Sequence, residues 1–173
     1  ALFVIYALLA VPLRSYGQPL IIMSVIPFAF VGAVWGHVIM KAAGLLDSMA
    51  IMSIMGSVAA SGVVINSSLV LVHAVNKRRS EGVDVFESVV EASVTRFRPI
   101  LLTSLTTFAG LTPLLLNQSV QAGVLIPMAT SVAWGVALAT VVTLLVVPAS
   151  YVIREDIMAR YGSRASDTER LSV

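Results

Sequence analysis

Asn66, Ser67 and Ser68 stand near the middle of an otherwise apolar run, MAIMSIMGSVAASGVVINSSLVLVHAVNKRR, from Met49 to Arg79. A second polar set, Thr103, Ser104, Thr106, Thr107 and Thr112, is threaded through the apolar stretch after Pro99. Amides and hydroxyls can hold water, partner a carboxylate or tie one helix to another, but they do not titrate and cannot carry a proton by themselves. No Asp, Glu, Lys or Arg lies in the core of any apolar run, so a proton-driven device would need its titrating group elsewhere. The polar centre therefore has two readings. It is glue between packed helices, each contact contributing about 0.6 kcal/mol, or it is part of a polar pathway for a coupling ion.

The composition says which elements must position these groups. Hydrophobic residues make up 58% of the chain and charged residues 12%, against about 25% charged in soluble domains. The apolar runs do not alternate every second residue as the strands of a membrane barrel do. The chain is expected to be an all-α membrane protein, a bundle of about five spans plus one amphipathic surface helix. It has no cysteine, which excludes disulfide and thiol chemistry, and its net charge of +2 gives no support to nucleic-acid binding.

The expected spans are 1–13, 20–40, 49–75, 99–116 and 122–153, which make residues 1–160 one transmembrane unit. The first run, ALFVIYALLAVPL, rises only about 20 Å as a helix, short of a bilayer core of about 30 Å. It reads as the end of a span that starts upstream, and it lacks the basic n-region of a signal peptide. The second carries Pro27, expected to kink it, and the close-packing spacing Gly32-x-x-x-Gly36. Gly44 can end it in the left-handed conformation, and Asp47-Ser48 offers a cap for the third. The third, longer than the roughly 20 residues a span needs, is expected to be packed on all sides; Ser53, Gly56, Ser57, Ala60, Ser61 and Gly62 let a neighbour approach closely. Residues 83–97 are apolar at 83, 86, 90, 94 and 97 with charges between, the pattern of a helix along a membrane surface. Pro99 suits the first turn of the fourth span, in which Thr103, Thr106, Thr107 and Gly110 share a face. The fifth is expected to bend near Pro148. The polar residues 161–173 are expected to be disordered.

Short turns make the spans alternate in direction. With the 77–98 connection inside, ten of the eleven Lys and Arg residues fall inside (Arg14, Lys77, Arg78, Arg79, Arg96, Arg98, Arg154, Arg160, Arg164, Arg170), and only Lys41 falls outside. The positive-inside rule then places the C-terminus in the cytoplasm. His37, near the outer end of its span, reads as an interfacial residue with Trp35. His73 falls at the other end of the membrane, so a shared metal site is not expected, and no cofactor is implied. Arg96 and Arg98 read as interfacial anchors.

Two stretches, GVVINSSLVLVHAVNKRRSEG and RFRPILLTSLTTFAGLTPLLL, together resemble the tenth and eleventh spans of resistance–nodulation–division (RND) efflux transporters. SYGQPLIIMSVIPFAFVGAVWGHVIM is similar to the turn and ninth span of the same family, and the likeness runs from Ala1 to about Arg160. It implies a twelve-span bacterial inner-membrane subunit, usually a homotrimer, that exports hydrophobic or amphiphilic compounds by proton antiport with a periplasmic adaptor and an outer-membrane channel. This chain would be its C-terminal transmembrane part. The family's carboxylate pair would lie on a span in the N-terminal half, with partners at Asn66, Thr103 and Arg96 and with Ser67 beside them. Ser68, Thr106 and Thr107 would be polar packing residues. Many drug-exporting members have a lysine where Asn66 stands; an asparagine can hydrogen-bond a carboxylate but does not hold it ionised as a cation does. A relative on this scaffold devoted to lipid export or to assisting protein secretion is the alternative, as is a membrane anchor whose polar centre is only glue. Two adjacent acidic residues in an upstream span would favour proton coupling.

Overall fold

The computed structural model describes residues 2–13, 15–46, 51–117, 119 and 122–170, with side chains described for 3–158 among them. It is an all-α bundle: α1 (Leu2–Leu13), α2 (Gln18–Met23), α3 (Ile26–Ala42), α4 (Ile51–Ser80), α5 (Val85–Leu115), a 3₁₀ turn (Ala122–Val124) and α6 (Ile126–Arg170). Among the described residues, three helical runs are long and apolar enough to cross a bilayer: Gln18–Ala42, Ile51–Ser80 and Ile126–Met158. The first expected span is represented by the 12 residues of α1. The fourth is the second half of α5, where the threonines and Arg98 dilute the apolar residues.

The run around Pro27 is divided rather than merely kinked. α2 ends at Met23, Ser24 and Val25 close as a turn, and α3 begins with Pro27 in its first turn, where the missing N–H leaves no vacancy in the ladder. Gly44 takes φ +71° and closes α3, with the Leu45 amide donating to the Met40 carbonyl at 3.0 Å, as expected for a left-handed helix end. The cap expected at Asp47-Ser48 lies outside the described residues.

The amphipathic segment and the fourth span are one helix, contrary to the two elements expected. Asp84 caps α5 by accepting the Phe86 amide at 3.1 Å, and the helix passes through Pro99 to Leu115. Pro99 thus stands inside a helix and leaves the Thr95 carbonyl without its i→i−4 donor. The face toward the bundle is made by Ser88, Val89 and Ala92, while Phe86, Val90, Val94 and Phe97 point away from it. Small residues face the neighbours because they allow close approach; the large apolar ones are left for lipid.

The hub is α6, which packs against α3, α4 and α5. Its small residues allow this. A Cβ on Gly135 would lie 3.0 Å from the Ala29 carbonyl oxygen of α3 and 3.0 Å from the Ala60 Cβ of α4. Gly32 and Gly36 of α3 face the same helix, and Trp134 fills the space over Gly36. Trp134 also meets Phe108 of α5 edge-on, with ring centroids 5.3 Å apart and planes at 86°. α4 is not enclosed on all sides. Its buried stripe, Ser53, Gly56, Ser57, Ala60, Val64, Ser68 and Leu71, faces the bundle. Its other side, at Val58, Gly62, Asn66 and Val70, is open. Pro148 lies within α6.

Candidate functional site

Asn66 is exposed at the centre of the open stripe of α4, one turn after Gly62, and forms no hydrogen bond with a described residue. Thr103 and Thr106 are exposed on α5, and Thr107 is half-buried beside them. With Pro99 and Leu102 they line an open cleft of about 500 Å³. A Cβ added at Gly62 or at Gly110 would meet nothing within 4 Å, whereas Gly32, Gly36, Gly56 and Gly135 are all covered by neighbouring helices. Both polar faces are therefore open and lined by small residues.

The hydroxyls are engaged within their own helices. Thr103 donates to the Pro99 carbonyl at 3.0 Å, Thr106 to Leu102 at 2.7 Å and Thr107 to Thr103 at 2.9 Å. Ser67 donates to Val63 at 3.2 Å and Ser68 to Val64 at 2.9 Å. The proton of each hydroxyl is committed, but its oxygen lone pairs remain available as acceptors. None of these hydroxyls bonds to a described residue of another helix. Ser67 is half-buried, and Ser68 is fully buried against the bundle, away from the open stripe. Arg96 is half-buried just before Pro99, and no described carboxylate pairs with it.

The polar bonds that do cross helices lie at two other places. His37 is buried, and its Nδ1 lies 2.8 Å from the Ala33 carbonyl oxygen, which can only accept. Nδ1 therefore carries the proton, and Nε2 lies 2.8 Å from Ser53 Oγ on α4. Trp35, two residues earlier, lies on another face of α3 and is 60% exposed, as an interfacial aromatic is. The His37 ring turns inward because a polar partner stands on α4. Among the described residues, no three His, Cys, Asp or Glu side chains group as metal ligands.

The second place is the basic end of the bundle. Gln18 and Asn76 exchange amide hydrogen bonds at 2.9 and 2.8 Å, and the Tyr151 hydroxyl donates to Asn76 Oδ1 at 2.8 Å. One shell outward, Glu155 accepts from Arg79 at 2.9 Å and from Arg154 at 2.7 Å, while Arg154 also donates to Ser15 at 3.0 Å. Arg78 reaches Glu91 of α5 at 2.6 Å. The basic foot of α4 is thus a clamp joining α4, α5, α6 and the turn after α1. Sequence reading treated these arginines as markers of topology alone. The partners Gln18, Asn76 and Tyr151 are too far apart in sequence to be found by spacing.

A profile of the AcrB/AcrD/AcrF family matches residues 1–155. The chain belongs to that family. The RND resemblance carried by the third and fourth spans is borne out. The chain is 34% identical over 128 residues to the nickel-cobalt-cadmium resistance protein NccA of Alcaligenes xylosoxydans xylosoxydans, covering 74% of this chain and 11% of that protein. It is 28% identical over 166 residues to the multidrug resistance protein MdtC of Proteus mirabilis, covering 95% of this chain and 16% of the relative. A third relative, the swarming motility protein SwrC of Bacillus subtilis, is 28% identical over 174 residues, covering 98% of this chain and 15% of its own length. The chain thus spans roughly an eighth of the length of the curated relatives it matches. The family is one of RND transporters, and this chain matches its model over nearly its whole length.

Proposed function

We propose that this chain supplies the responding half of a proton relay in an efflux transporter. In that reading the open face of α4 and α5 receives a carboxylate-bearing helix from another part of the protein. The observation that carries it is the pairing of Asn66 with Gly62 on one helix and of Thr103 and Thr106 with Gly110 on the next, all uncovered in this chain. Small residues beside polar ones suit close approach of another membrane helix. The chemistry also suits a partner that titrates. An ionised carboxylate needs donors, and the Asn66 amide has two N–H groups to offer. A protonated carboxyl needs an acceptor, and Asn66 Oδ1 and the lone pairs of Thr103 can supply one. The face can thus follow a proton on and off a neighbour without titrating itself. Arg96, two turns before Thr103 on α5, adds a positive charge on the same helix.

The wider reading follows the family. The transporter sits in a bacterial inner membrane with its C-terminus in the cytoplasm, forms a homotrimer, and works with a periplasmic adaptor and an outer-membrane channel. Its cargo is hydrophobic or amphiphilic, as the name of MdtC favours. The name of NccA favours a second reading, export of divalent metal ions, on the same relay. The test is transport by the full-length protein in proteoliposomes under an imposed pH gradient. A hydrogen bond to a charged group contributes about 1.5–3 kcal/mol, so Asn66→Leu should slow proton-coupled export about ten- to a hundredfold at unchanged protein level. Thr103→Val should act in the same direction. Wild-type rates in both variants would exclude the relay.

A further inference from the structure

The clamp at the basic end is one wall of an open cleft of about 720 Å³ bounded by the turn after α1, the last two turns of α4 and α6. Its cations come from two helices: Lys77 and Arg79 from α4, and Arg154 from α6, with His73 one turn before Lys77 on the same face. Glu155 is the one carboxylate in the lining, and it is already shared by Arg79 and Arg154. Among the described lining residues, three Lys and Arg cations against one carboxylate leave a surplus of two positive charges, His73 left out of the count. Lys77 pairs with no described carboxylate. The floor is hydrogen-bonding, because Gln18 and Asn76 both line it. The lining also includes exposed apolar residues, Pro12 from α1 and Met158 from α6, the latter 56% exposed.

We propose that this cleft binds the phosphate headgroup of an anionic phospholipid in the leaflet at the basic end of the bundle. The surplus charge calls for an anion, and arginine forks and a lysine suit phosphate oxygens. The neighbouring apolar side chains and the ends of membrane-crossing helices favour a lipid over a soluble anion, because a lipid brings an acyl chain that Pro12 and Met158 can cover. A basic pocket between spans is a general means of holding such headgroups. The site lies at the helix ends and is independent of the relay read at Asn66.

The test uses the full-length transporter in mild detergent, with native mass spectrometry to count bound lipid during titration with dioleoyl phosphatidylglycerol or dioleoyl phosphatidylcholine. The wild type should retain phosphatidylglycerol in preference to phosphatidylcholine. Lys77→Gln leaves the Arg79–Glu155–Arg154 cluster in place and should weaken phosphatidylglycerol binding about fivefold. Lys77→Arg should restore it, and Lys41→Gln at the other end of the bundle should leave it unchanged. Equal retention of the two lipids would overturn the proposal, as would Lys77→Gln binding like the wild type. Displacement of the lipid by millimolar glycerol phosphate would assign the cleft to a soluble phosphate and overturn the lipid reading.

Discussion

Gly56→Ala tests the packing on which the bundle depends. An added Cβ would fall against the Met128 carbonyl oxygen of α6 and 2.8 Å from the Ser131 Cβ. Ordinary contact begins near 3.4 Å, so the two helices would have to separate by about 0.6 Å at Ser131 and more at the carbonyl. Neither atom is the end of a flexible side chain, so the backbone must move. A gap of 0.5–1 Å forfeits about a quarter to a half of the dispersion energy of each contact it opens. Ser53, Ser57 and Ala60 lie along the same stripe and would lose contact together. Overpacking of this kind costs about 1–3 kcal/mol, and the higher helix propensity of alanine returns about 0.5–1. Because the nearest obstacle is the backbone carbonyl of Met128, the cost falls at the upper end of that range, and a net loss of about 2 kcal/mol should lower the resistance of the full-length protein to unfolding by added denaturing detergent. It is read as a lower midpoint in the loss of the far-ultraviolet helix signal. A midpoint at or above that of the wild type would refute the placement of α6 against α4.

The remaining predictions probe other contacts. Asn76→Leu strips the Gln18 amide and the Tyr151 hydroxyl of their shared partner in a buried place and should cost about 1–3 kcal/mol, measured by the same unfolding. The double variant Gln18→Leu with Asn76→Leu should recover part of that loss, since both members of the amide pair are then gone; a purely additive result would contradict the pairing. Gly62→Ala and Gly110→Ala add methyl groups that meet nothing in this chain. In the full transporter they should lower export severalfold, because the incoming helix is held off, even though alanine raises the helix propensity of each span; unchanged export would place lipid there instead. His37→Ala removes the bond to Ser53 and should lower the unfolding midpoint by the equivalent of about 1 kcal/mol.

The helical class and most element ends were legible because membrane helices announce themselves by length and apolarity, and because Gly44 and the Pro27 break act locally. What was not legible is instructive. The separation of residues 83–97 from the fourth span rested on a change of composition at Arg96-Phe97-Arg98-Pro99. A proline is compatible with a helix interior when neighbouring packing holds the backbone on both sides, and Val89 and Ile100 are both buried on α5, before and after it. The importance of α6 was hidden for a similar reason. Its many small residues, Ala129, Ala133, Gly135 and Ala139, read as an unremarkable apolar run, yet smallness is what lets three helices meet it.

The polar residues divide by reach. Ser and Thr side chains are short enough to find the carbonyl four residues back, and Ser67, Ser68, Thr103 and Thr107 do so, which satisfies them without a neighbour. Their presence in a span therefore carries little information about what packs beside it. Asn, Gln, His and Arg reach past their own helix. Gln18, His37, Asn76, Arg79 and Arg154 each found a partner on another element. Asn66 has the same reach and none of those partners. Among the asparagines and glutamines described within helices, Gln18 and Asn76 cross to a neighbour and Asn66 does not, as the proposed docking of a helix from elsewhere requires. That inference needs no lysine at position 66, only a face left open and an amide left free.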